Sequence, residues 1–252
     1  MFRSWTAMLA FATAVLLLLS GCTSAWVSSW RPEAREWVPE PEEEDEVQIE
    51  GEYGGLWMEV LGTMPHTLDP AQIVTLDEGR LAALLYNGLV RCGRDMTPEP
   101  DLARSWEVKR NGLQYTFHLR EDVTFSNGHR FTADDVLFSF LRLLSPQTGS
   151  PRAWILEDIL GARQYSAGES NEVAGIEVKD QYTVSITLEQ PRATFLNLLA
   201  TPAAFILNRE TVETYETVTV SRSDGGVSGF HPVGTGPFSV TEYREGEHLQ
   251  LA

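Results

Sequence analysis

The chain has 252 residues, 42% of them apolar and 10% aromatic, with a formal charge of −17 from 36 acidic and 19 basic side chains. That apolar content supports a packed core and excludes a disordered chain, while the acidic balance excludes nucleic acid and anionic headgroups as partners. Two cysteines, Cys22 and Cys92, are too few for a disulfide framework.

In chain order, a short stretch carrying Arg3 precedes Ala7 to Leu19, an uncharged apolar run. A spanning helix needs about twenty such residues, so this run has the length of a signal-peptide core instead. It meets Leu19-Ser20-Gly21-Cys22, which resembles the bacterial lipobox. Residues 1–21 are accordingly expected to be a lipoprotein signal peptide, and Cys22 to receive a diacylglyceride that holds the chain on a membrane. An ordinary cleaved leader with an incidental Cys22 is the other reading. Residues 22–52 follow as a tether, because the Pro39-to-Glu46 block of Pro and like charges repels itself and buries nothing. Cys92, left alone, is expected to be a small core residue.

The globular part is expected over 53–252. Gly54 to Val60 reads as a strand entering a turn at Met64 to Pro70, and Asp77 as the cap of a helix carrying Leu81, Leu84, Leu85 and Leu89. Trp106 to Arg110 and Tyr115 to Leu119 alternate about Asn111-Gly112, a hairpin signal. Thr132 reads as the cap of a helix with Asp134 and Asp135 in its first turn and Val136, Leu137, Phe140, Leu141 and Leu144 facing inward, ended by Pro146. A second hairpin is predicted about Lys179-Asp180-Gln181. Pro191 then introduces a helix through Phe195, Leu196 and Leu199. Residues 221–230 read as a Ser/Gly loop, and the segment from Gly234 ends in one alternating strand.

Tyr115 to Val136 resembles the signature of the family 5 extracellular solute-binding proteins, receptors of ABC importers for oligopeptides, dipeptides, nickel and related cargo. Four further segments resemble that family in order: Thr67 to Pro70, Leu85 to Val90, Pro100 to Trp106, and Pro232 to Phe238. The resemblance implies an α/β, periplasmic-binding-protein-like lobe of the oligopeptide-receptor type, with a mixed sheet, flanking helices and its second lobe missing. It implies capture of a peptide-like small solute for ABC permease subunits in the cell envelope, with no cofactor, metal or catalytic residue. Most of the motif residues are expected to be scaffold. Val74, Thr75 and Leu76 are implied to line the ligand cleft, their main chain pairing with the ligand as an added strand. Gly234, Thr235 and Gly236 are implied to let backbone approach the ligand. Members run to about twice this length, and the carboxylate that meets a peptide's α-amino group lies in the part beyond, so the chain is expected to be a fragment or a truncated product. The other function class is a non-transporting interaction or signalling lipoprotein built on the same lobe. An enzyme is disfavoured because adjacent Asp134 and Asp135 point to different sides of one helix.

Overall fold

Asn111-Gly112 does turn the chain back on itself. In the computed structural model, which describes residues 57–215, 232–244 and 247–252, β3 (Ala103–Lys109) and β4 (Gln114–Leu119) pair antiparallel with Lys109 opposite Gln114. Arg110, Asn111 and Gly112 make the turn with φ of 54°, 54° and 89°. Gly and Asn adopt that left-handed backbone at little cost, whereas Arg110 adopts it against its own preference. Tyr115, Phe117 and Leu119 are buried while their alternates are half-exposed, as a strand with one covered face requires.

The predicted second hairpin is β5 (Ile176–Asp180) with β6 (Thr183–Thr187), and β6 adds to β4 with Phe117 opposite Val184. The sheet order is β3-β4-β6-β5, and every ladder among the described residues is antiparallel. Across this sheet lies α2 (Ala133–Leu144), packed through Val136, Phe140, Leu143 and Leu144. Leu137 and Leu141 are only partly covered. The helix starts as read: the Asp135 carboxylate accepts from the Thr132 amide (2.9 Å) and hydroxyl (3.1 Å). Short helices α3 (Ala162–Ser166) and α4 (Phe195–Leu199) close this core, with the Phe195 ring 4.9 Å from that of Tyr115. The α/β lobe with flanking helices is therefore present.

A second, smaller core surrounds α1 (Leu76–Leu85): Leu68, Ile73, Leu81, Ala82, Leu85, Tyr86 and Leu207. Its cover includes Val240, Leu249 and Leu251 from the hairpin of β7 (Val240–Arg244) and β8 (His248–Leu251). The closing segment is thus two strands rather than one. Helix α5 (Arg209–Tyr215) follows Leu207.

Further expectations are corrected. Helix α1 ends at Leu85, so Leu89 lies beyond it and packs into the larger core. Trp57 to Val60 form no strand, and Met58 and Val60 stay exposed because no ladder among the described residues covers them; residues 54–56 lie outside the described part. Thr75, not Asp77, caps α1: its hydroxyl accepts from the Glu78 amide while Asp77 sits in the first turn. Cys92 is exposed rather than core. It ends β1 (Val90–Cys92), which among the described residues pairs only with β2 (Pro98–Pro100), and only Val90 of β1 reaches the interior. The signal peptide, Cys22, the tether and the loop at 221–230 all lie outside the described residues. Among the described residues no helix is long and apolar enough to cross a membrane.

Candidate ligand-binding site

The Thr67-to-Pro70 turn is rigid for a local reason. Asp69 donates its N–H to the Thr67 hydroxyl (2.9 Å), and its carboxylate accepts from the Ala71 amide (3.0 Å), starting a 3-10 turn at Pro70–Gln72. The same carboxylate, 1% exposed, receives both Nη1 (2.8 Å) and Nη2 (2.6 Å) of Arg142 from the last turn of α2. Burial, and then the Asp69 charge, push the Tyr86 phenol well above its ordinary range, so that side chain is neutral.

From this anchor the chain runs to Val74, Thr75 and Leu76. Here Glu78, fully buried, gathers the segment: its carboxylate accepts from the amides of His66, Val74 and Thr75, each at 3.0 Å. Burial alone would raise its pKa. The three amides and the Thr75 hydroxyl outweigh burial and hold the group below the ordinary glutamate range. A consequence concerns the strand-like ligand pairing implied by the resemblance. The Val74 and Thr75 N–H groups are already engaged by Glu78, and the Thr75 carbonyl takes the Gly79 amide. What the segment offers outward is the Val74 and Leu76 side chains, 53% and 80% exposed.

A second segment laces onto the first at every other residue. Gln72 donates its side-chain amide to the Thr148 carbonyl, and Ser150 its hydroxyl to the Ala71 carbonyl. Arg152 donates Nε to the Ile73 carbonyl (3.2 Å) and Nη2 to the Val74 carbonyl (3.3 Å). Trp154, two residues on, is 46% exposed. The two segments form one ledge with apolar side chains and a guanidinium at its edge.

Gly234, Thr235 and Gly236 lie at the other end of α1, about 15 Å away along the axis by the helical rise per residue. The Gly236 amide donates to the Leu85 carbonyl (3.0 Å), the Phe238 amide to Leu84 (3.1 Å), and the Ser126 amide to Gly234 (2.9 Å). A Cβ on Gly234 would stand 1.9 Å from the Leu85 oxygen, and one on Gly236 2.6 Å from the Leu84 oxygen. Close approach to the helix end demands both glycines. Thr235 donates its hydroxyl to Asn87 Oδ1 (3.0 Å), and Asn87 in turn donates to the Asp101 carboxylate. The structure therefore does not bring the two candidate groups together: one sits at the start of α1, the other clamps its end.

Sequence reasoning missed Glu78, Arg142 and Arg152. Thr75-x-x-Glu78 is a capping-box pattern and was available as a signal. Nothing local marks either arginine, since their partners lie over seventy residues away.

The lobe thus presents an exposed ledge beside a tightly capped helix. The chain belongs to the bacterial extracellular solute-binding proteins, family 5; the profile described as "Bacterial extracellular solute-binding proteins, family 5 Middle" matches residues 97–252. It is similar to the di/tripeptide-binding protein 2 of Pseudomonas aeruginosa, 36% identical over 202 residues, covering 75% of this chain and 36% of that protein. It is also similar to the dipeptide-binding protein DppE of Bacillus subtilis, 32% identical, covering 66% of this chain and 30% of that one. Among solved structures, OppA of Haemophilus influenzae in complex with RPPGFSPFR superposes with a TM-score of 0.67 at 27% identity, covering 75% of this chain and 36% of that chain. The chain spans about a third of the length of the relatives it matches.

Proposed function

We propose that this chain captures peptides or similar small solutes for an ABC importer, and that Val74, Thr75 and Leu76 line the ligand. The observation that carries this reading is the ledge: on a lobe shared with peptide receptors, Val74 and Leu76 are held outward by a fully buried carboxylate. Such an arrangement stores its order before the ligand arrives, which lowers the entropy lost on binding. Gly234, Thr235 and Gly236 contribute to the same site by fixing the far end of α1. Export and attachment through a lipid at Cys22 would place the lobe beside permease subunits on the outer side of a membrane; the apolar run ending in Leu19-Ser20-Gly21-Cys22 supports this part.

Calorimetric titration of the chain with a mixture of di- and tripeptides tests the capture reading. Saturable heat that disappears in Leu76→Asp is the expected outcome, and no heat from any peptide would count against it. For the anchor, Cys22→Ser expressed in a bacterial host should move the protein from the membrane to the soluble fraction. Unchanged fractionation would remove the lipid from the account.

A further inference from the structure

Three arginines among the described residues are half-buried: Arg142, Arg152 and Arg192. Arg142 is paired with Asp69, and Arg192 with Asp158. Arg152 has no carboxylate partner among the described residues; its guanidinium there meets only the main-chain carbonyls of Ile73 and Val74. This is notable in a chain with 36 acidic side chains against 19 basic ones, where a counter-charge is readily found. A guanidinium has five N–H donors, and two carbonyls leave donors free. Partial burial without a counter-charge is a cost that an arriving carboxylate removes, because a bidentate charge-assisted pair is the strongest hydrogen-bonding arrangement available to Arg. Around it, Val74, Leu76 and Trp154 present exposed apolar surface on the same two segments.

We propose that Arg152 is a specificity-determining residue that receives a carboxylate of the bound peptide at the Val74 edge of the ledge. The ligand class is then peptides carrying a carboxylate in that register, from either an acidic side chain or the free C-terminus. This rests on the peptide-capture reading above. Charge-assisted hydrogen bonds of this kind correspond to about tenfold to a hundredfold in affinity.

The test titrates the wild-type chain and Arg152→Gln at low salt with Ala-Glu-Ala and Ala-Gln-Ala, each as free acid and as C-terminal amide. In the wild type, one carboxylate-bearing form is expected to bind about tenfold or more tightly than its neutral counterpart, and Arg152→Gln should erase that ratio. A Glu-over-Gln ratio assigns the side chain, and an acid-over-amide ratio assigns the C-terminus. Equal affinities in the wild type, or a ratio that survives Arg152→Gln, overturns the proposal and leaves peptide capture standing. No binding of any of the four to the wild type removes both. Arg152→Lys covers the case in which Gln loosens the ledge: it keeps the charge, loses the planar fork, and should lower the ratio. A ratio unchanged in Arg152→Lys together with an unchanged unfolding midpoint would also overturn the assignment.

Discussion

The carboxylate of Asp69 and the guanidinium of Arg142, 73 residues apart in sequence, meet in a two-point contact at 2.8 and 2.6 Å that ties the turn before the ledge to the last turn of α2. Asp69 is almost wholly buried and Arg142 is 17% exposed, so water screens the pair little. Removing one partner leaves the other buried and unpaired. Asp69→Asn is therefore expected to destabilise the chain by about 3–5 kcal/mol, read as a lower denaturant midpoint at unchanged slope. A loss under about 1 kcal/mol, the value of an exposed pair, would show that the contact is not maintained.

The glycine loop separates a packing role from a ligand role. Gly234→Ala drives a Cβ into the Leu85 carbonyl region, and the loop must withdraw from the helix end to relieve it. The expected cost is about 1–3 kcal/mol of stability, measured by denaturant unfolding, with or without peptide. An unchanged midpoint combined with weakened peptide binding would instead assign Gly234 to the ligand.

Glu78 makes stability depend on pH with a definite sign. Its folded pKa lies below its unfolded value, so its contribution is fully present above the ordinary glutamate pKa of about 4.3 and is lost as pH falls through the depressed folded value. Asp101 and Asp135 act oppositely, because burial raises both: their contribution is present below about pH 3.9 and lost as pH rises through the raised values. Thermal melts of the wild type and Glu78→Gln between pH 3 and 7 should show a gap in Tm at neutral pH that narrows below about pH 4.3. A gap constant across that range would mean that Glu78 does not titrate with folding.

Cys92, at the end of a three-residue strand, is exposed. An aromatic disulfide reagent should label a thiol in the native Cys22→Ser chain that a further Cys92→Ser removes. The substitution should change stability by no more than about 0.5 kcal/mol. Labelling that waits for denaturant would place this thiol in the interior after all.

The reading of Cys92 shows where composition misleads. Cysteine is buried in most proteins, and that tendency says nothing about a strand whose only partner among the described residues is Pro98-Glu99-Pro100. Proline in a run argues against strand, yet β2 exists as one edge of a two-stranded ribbon, where its missing N–H costs least. The cap at Thr75 is legible, since Thr75 stands three residues before Glu78 in the capping-box pattern, whereas an acidic Asp77 fits the first turn equally well.

What the sequence by itself determined is the local part: the hairpin at Asn111-Gly112, the start of α2 at Thr132, the Asp69-Pro70 turn, and membership of a solute-binding family through ordered motifs. These signals act between residues a few positions apart, where backbone preference and a capping side chain decide the outcome. Only the tertiary structure decided that Arg142 meets Asp69, that Arg152 meets Ile73 and Val74 without an acidic partner, and that Gly234 and Gly236 are small for the sake of α1. Such contacts join segments that lie far apart along the chain, so their geometry exists only once both cores have formed.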